Sequence, residues 1–443
     1  MKRKGVYAVA AILIAIVAVV AIYALASNSG SGSGNQLTFS NQPTFNYSYS
    51  TANASAVAAD EVNFTFAMYN LMNNSGSQPS NLFFSPFSAF VAMAMAARGA
   101  SGETAVQMYN GLHIPYNATA HNEDGGFASI LSSLSGRNAG YSLSIADALW
   151  VEQTYPFRQS FLGTLKRYYN ASAYPADFLN NADTVTNNIN NWVANKTNNK
   201  IQNLISPGLL TPATKAVLIN TIYFHGLWEH KFDIGMTQNQ NFYVSQSRTE
   251  SVPMMNQELN ASYYQNSTLQ ALELDYNNSN ITMLIILPEN TFGLANVTKG
   301  LGASSLLGIE QNLDVVPVEV WLPRFNITET MDLSGLFTVL GMKDAFTPRL
   351  ANFSGMANFS NLSPLERMLY ISNVIQKAFV AVDENGTTAA AATAVVATAA
   401  VVVVSPPQPV VFRADHPFLF LIIDKRSGAI LFIGSISDPA AAS

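Results

Sequence analysis

The chain contains no cysteine, so no disulfide, zinc–thiolate centre or lipidated cysteine anchor can form, and the redox state of its compartment leaves no mark on it. Charge is nearly as scarce. Asp, Glu, Lys and Arg make up 11% of 443 residues, against about 25% in an average soluble domain. The net charge of −6 is mild, and no basic cluster exists beyond Lys2-Arg3-Lys4, which argues against a nucleic-acid partner. Five histidines occur, none in an H-E-x-x-H or comparable pair, so a zinc hydrolase is not expected. There is no G-x-S-x-G elbow, no P-loop and no dinucleotide glycine fingerprint. These absences point to a protein with no metal, no cofactor and no catalytic centre of its own.

What the chain does have is apolar: 49% of its residues are hydrophobic, enough for a large core. A basic stub, residues 1–5, precedes an uncharged run, 6–26, long enough to cross a bilayer as a helix. The basic flank should stay in the cytoplasm and everything downstream outside. The run exceeds a typical signal core, so a retained anchor is the expectation, with release by cleavage after Ala26 as the alternative. Residues 27–55 begin as a Ser/Gly tether and continue Asn-rich. About seventeen Asn-x-Ser/Thr triplets follow through the chain. With an external topology they read as a glycosylated surface, whose sugars would supply the hydration that charges do not. Scarce carboxylates also suit acidic surroundings; the expected outcome is a solubility flat across acid pH.

Along the body, Ala56 to Met72 has helical spacing of apolar residues. Asn81 to Ser88 reads as a short strand stopping at Ser85-Pro86, with Ser85 capping a helix that runs to Ala97. Leu143 to Val151 alternates as a strand, Phe157 to Tyr169 and Ile189 to Ile201 are helical, and Ala216 to Trp228 is a buried strand. Near the end, apolar strands from Tyr370 to Val382 and from Phe418 to Ile436 flank a long segment that begins as an acidic turn and then runs for about twenty residues without charge or proline. It opens at Asp383-Glu384-Asn385-Gly386, runs through Thr387 and Thr388 into Ala389, Ala390, Ala391 and Ala392, and stops at Ser405-Pro406-Pro407. Thr and Val favour a strand, the Asn-Gly turn supplies a hinge, and the prolines break any ladder. Alternation would send Thr387, Ala389, Ala391, Thr393, Val395 and Ala397 to one face, all compact enough to bury. A long loop between core strands is uncommon and usually functional.

Glu384-x-Gly386-Thr387-x-Ala389-Ala390-Ala391, followed by Phe412-Arg413-Ala414-Asp415-His416-Pro417-Phe418, resembles the hinge and C-terminal signature of the serpins, inhibitors that act as suicide substrates. So do Phe83-Phe84-Ser85-Pro86-Phe87-Ser88, Ala146-Asp147-Ala148-Leu149-Trp150, Asn191-Trp192-Val193, Tyr223-Phe224-His225-Gly226-Leu227-Trp228 and Val318-Glu319-Val320-Trp321-Leu322-Pro323-Arg324-Phe325. The resemblance spans residues 56–438 in unbroken order, leaving 439–443 as a tail. It implies an α+β fold with a large central, mostly antiparallel sheet, further sheets, eight or nine helices and an exposed reactive loop at about 384–411. It also implies a monomer that traps a serine protease as a covalent acyl complex, the freed loop entering the central sheet as a new strand.

On that reading Glu384, Gly386, Thr387, Thr388 and Ala389 to Ala392 form the hinge. Its small residues, with nothing bulky or charged after Gly386, fit an active inhibitor. The family's usual spacing, carried onto Glu384, places the scissile bond at Ala400–Val401. The longer stretch before Phe412 leaves the cut anywhere from Thr398 to Val404. Ala, Val and Thr fill that window, so elastase-like or subtilisin-like targets are expected and a tryptic one is not. Ser85, Ser88, Asn220 and Gln376 fall at the family's shutter, where the sheet parts. Gln376 stands where a histidine is common, and glutamine can keep the bond to Asn220 without a histidine's pH dependence. Two other readings remain: a non-inhibitory member serving as chaperone, carrier or store, and a cell-surface interaction protein.

Overall fold

In the computed structural model of the chain, the described residues are 50–74, 81–117, 123–134, 140–197, 199–277, 280–363, 367–387 and 408–442, all within the unit Phe39–Ser443. The first elements are α1 (Thr51–Asn74), β1 (Leu82–Phe84), α2 (Pro86–Ala97), α3 (Gly102–Gly111), α4 (Glu123–Leu134), β2 (Tyr141–Glu152), α5 (Gln159–Tyr169), β3 (Ser172–Ala176), α6 (Phe178–Lys196) and β4 (Ala216–Leu227). Then follow β5 (Gln238–Ser245), β6 (Arg248–Gln265), β7 (Leu269–Asp275), β8 (Ile281–Pro288), α7 (Leu294–Lys299), α8 (Ala303–Gln311), β9 (Asp314–Pro323), β10 (Phe325–Asp332) and α9 (Ser334–Val339). The chain closes with β11 (Asn373–Asp383), β12 (Gly386–Thr387), β13 (Val410–Arg413), β14 (Phe418–Asp424) and β15 (Ala429–Ile436).

These strands form two sheets. The six-stranded one runs β10-β11-β12-β4-β2-β3, with β11 also paired to β4. The other runs β1-β15-β14-β8-β7-β6-β9-β13, with β5 on the side of β6. The long strand β6 pairs with β5 at one end, with β7 at the other and with β9 in between, so it joins what would be two smaller sheets into one.

Helix α2 is Ala- and Met-rich, carries Phe87 and Phe90, and all of it is buried. It packs on β15 on one side and on β2 and β4 on the other, wedged between the two sheets. Ser85 caps it, accepting from Ser88 N, with Pro86 in the first turn where no N–H is needed. Alternation along β4 sends Leu218 and Ile222 into this core and Val217 and Ile219 to the opposite face, where α6 covers them with Phe178, Ile189 and Val193. Two sequence expectations change length. The helix read from Ile189 begins at Phe178, because Asp177 caps it and a non-helical Asn181 carries the chain across an Asn-rich stretch of low helix propensity. The first helix begins at Thr51, earlier than expected, and Ala54 is buried.

Residues 1–49, including the apolar run 6–26, lie outside the described residues. Among the described residues, no helix is long and apolar enough to cross a membrane.

Candidate functional site: a strand gap, its hinge and its shutter

Strands β4 and β11 run parallel and pair over seven positions, from Val217 with Asn373 to Tyr223 with Phe379. Parallel pairing is slightly weaker per residue than antiparallel. At one end of this seam, β12 lies between the two strands and is antiparallel to both. Gly386 faces Asp383 of β11 and Leu227 of β4, and Thr387 faces Val382 and Gly226. A strand fed further down the seam would replace one parallel ladder by two antiparallel ones.

The hinge is held by several independent groups. Gly386 has φ +142°, and a Cβ there would lie 2.0 Å from the carbonyl oxygen of Gly226 and 2.6 Å from Cα of Leu227, so only glycine fits. Thr387 is fully buried, and its hydroxyl is 2.9 Å from that of Tyr276, whose ring stacks on Trp228 at 4.6 Å. Trp228 N donates to the Asn385 carbonyl at 2.9 Å, Phe232 N to the Glu384 carbonyl at 2.9 Å and Trp228 Nε1 to the Asp383 carbonyl at 3.0 Å. The Glu384 carboxylate accepts from Arg324 Nε at 2.6 Å and also bonds Thr237. Burial alone would raise its pKa, but the bonds from Arg324 and Thr237 outweigh burial and hold it below the ordinary carboxylate value.

Halfway along the seam Asn220 and Gln376 are paired residues, and their side chains bond across it: Gln376 Nε2 donates to Asn220 Oδ1 at 2.7 Å. Gln376 also grips the start of α2, donating to the Ser85 carbonyl at 2.8 Å and accepting from Ser85 N at 2.9 Å. Ser85 Oγ donates to the Leu431 carbonyl at 2.6 Å. Asn220 Nδ2 donates to Ser88 and, at 2.6 Å, to Asp147 Oδ1 on β2. All are buried. Breaking any one of these bonds strands a polar group without water, at a cost of about 1–3 kcal/mol.

The structure therefore brings Ser85, Ser88, Asn220 and Gln376 into one network, and sets Glu384, Gly386 and Thr387 at the end of the same seam. Thr388, Ala389 to Ala392, and the bait residues Ala400 and Val401 lie outside the described residues. Reading the sequence missed Arg324, Thr237, Tyr276 and Asp147. Arg324 and Asp147 stand within motifs noted for their pattern, but only folding shows which partners they meet. Among the described residues, no three His, Asp or Glu side chains are placed to hold a metal. An open cleft of about 850 Å³ lies away from the seam, beside Tyr264, Asn296 and Ser305.

The family model for Serpin (serine protease inhibitor) matches residues 59–439. A serpin-like protein of Thermococcus kodakarensis is 37% identical over 91% of this chain and 90% of its own. Mouse leukocyte elastase inhibitor A is 35% identical over 85% of this chain and 97% of its own. Human thyroxine-binding globulin, solved with its hormone, superposes with a TM-score of 0.77 at 26% identity, covering 87% of this chain and 99% of that one. The chain belongs to the serpin family and has the serpin fold.

Proposed function

We propose that the protein is an irreversible suicide-substrate inhibitor of serine proteases with small primary pockets, elastase-like or subtilisin-like. The observation that carries this reading is β12: the hinge already occupies the end of the seam, in the antiparallel sense that continued insertion needs. A protease serine would attack the Ala400 carbonyl and release Val401 as a free amine. An ester then links protease and inhibitor. Freed at one end, the Thr/Ala/Val segment would zip down the seam, its side chains small enough to enter without prying the sheet apart. The acylated protease would travel with it, and distortion of its active site would leave the ester unhydrolysed. Similarity to an elastase inhibitor supports the class of target.

The test is to mix the purified protein with elastase-like and subtilisin-like proteases and run denaturing gels with mass spectrometry. A covalent band at the summed mass, with a released peptide starting at Val401, is expected. Cleavage without any complex for every protease would overturn the reading and favour a non-inhibitory carrier role, which similarity to a hormone-bound globulin keeps in view.

The place of action we propose is the outer face of a membrane, with 6–26 as anchor. Partition into the membrane fraction after an alkaline wash tests it, and full release into the wash would refute it. Glycosylation fits the same topology, since the sequon residues Asn63, Asn170, Asn195, Asn260, Asn266, Asn326 and Asn358 are all exposed.

A further inference from the structure

Glutamine at position 376 removes one titratable group from the shutter, yet the fold puts another there. Asp147 pairs with Asn220 across β2 and β4. Its Oδ1 accepts from Asn220 Nδ2 at 2.6 Å and from Ser88 Oγ at 3.3 Å. Both hydrogens of the Asn220 amide are thereby committed to Asp147 and Ser88, which leaves its carbonyl oxygen aimed at Gln376. Asp147 is thus a positioning residue: it sets the orientation of the one side chain that Gln376 bonds across the seam. Its surroundings are neutral from every side. Asn220 faces it from β4, Ser88 from α2, Gln376 lies beyond on β11, and no charged side chain acts on it. We propose that Asp147 makes the shutter proton-gated, holding β4 against β11 when protonated and easing their separation when ionised.

The physical basis is the cost of a buried charge without a counter-ion. Protonated, the carboxyl is neutral and its hydrogen bonds are made. Ionised, it keeps the bonds from Asn220 and Ser88 but has no counter-ion, and opening the seam closed by the bond between Asn220 and Gln376 would let water reach it. Burial, outweighing the bonds from Asn220 and Ser88, pushes its pKa up from 3.8 to about 7. The sign follows from the folded value lying above the unfolded one. This stabilisation of the closed shutter is complete below about 3.8 and is lost as pH rises through about 7. Acid would tighten this inhibitor and neutrality would arm it.

The inference rests on the strand-insertion reading above, and the experiment separates the two. A synthetic peptide with the sequence Thr387–Val401 is added in excess to the full-length protein between pH 5 and 8.5. Its uptake into the sheet is followed by mass on native gels and by the gain in thermal stability. For the unmodified protein the uptake rate should rise about tenfold across pH 6–8, as expected when ionisation favours the open state by about one pK unit. Asp147→Asn, which keeps shape and hydrogen bonding but cannot titrate, should be flat. Asp147→Ser gives a second non-titrating variant should the first not fold. Glu61→Gln is the control. Glu61 is also buried, with its pKa pushed up to about 8, but it bonds Thr65 and Ile430 N and none of the side chains of the shutter. It should keep the unmodified slope. An equal slope in Asp147→Asn, or loss of the slope in Glu61→Gln, overturns the gating. No uptake at any pH by any variant overturns strand insertion itself, and the gating with it.

Discussion

At Gly386 the sheet tolerates nothing larger than hydrogen, because a Cβ would collide with the backbone of Gly226 and Leu227, which cannot move without breaking β4. Gly386→Ala should therefore expel β12 from the seam. The expected outcome is a melting temperature lower by several degrees, and a covalent complex yield that falls in favour of cleaved inhibitor, both read from calorimetry and denaturing gels. At Gln376 the loss is of bonds rather than space. Gln376→Ala leaves Asn220 Oδ1 and both main-chain groups of Ser85 without their partner, at about 1–3 kcal/mol each where water cannot replace it. That variant should convert faster to latent or polymeric forms on mild heating, and unchanged conversion kinetics would refute the role given to the bond. Glu384, Gly386, Gln376 and Asn220 could be picked out from sequence because their neighbours in the chain carry a recognisable pattern. Arg324, Thr237 and Tyr276 could not, since each joins the hinge from a different element, more than one hundred positions away in the case of Thr237 and Tyr276.

The hinge, as an element, is fastened at its base by Glu384. Its carboxylate is depressed below the ordinary value, so the stability contributed by the Arg324 and Thr237 bonds is present above about pH 4.5 and is lost only as pH falls through the lower folded value. The base of the loop should thus stay fastened well into acid, in contrast with the shutter, whose catch weakens towards neutrality. Glu384→Ala should raise the rate of loop cleavage by a non-target protease about tenfold at pH 6, and abolish any change in that rate between pH 6 and 3. Time courses of limited proteolysis check both. Among the larger elements, the strands were the more legible. Buried apolar runs such as Ala216 to Leu227 announce themselves, whereas α6 hides its first half in Asn-rich sequence and β6 hides its length behind polar positions that alternate with its buried ones. Propensity alone does not find elements that tertiary packing extends.

For the whole molecule, the parallel seam between β4 and β11 is a reservoir of unrealised pairing. Its seven paired positions would give way to two antiparallel ladders on insertion, each new hydrogen bond contributing about 1 kcal/mol. On the proposed mechanism the native state would be held by kinetics rather than by its place at the bottom of the landscape. Cleavage within Thr398 to Val404, followed by insertion, should raise the melting temperature by about 10 °C or more, a shift of the size expected for roughly ten such bonds. A cleaved form that melts with the native one would mean that the loop does not enter the sheet.

Taken alone, the sequence pointed to the family, to several of the strands and helices in their order along the chain, and to a stretch of small residues between two core strands. These follow from local composition and period, which a linear text carries. It also determined that the chain relies on no disulfide, since no cysteine is present. Only the tertiary structure decided that the hinge already lies in the seam, that Arg324 and Thr237 hold Glu384, and that a carboxyl of β2 orients Asn220 in the shutter. Such facts depend on which distant strands become neighbours and on how thoroughly water is excluded between them. Distance along the chain fixes neither.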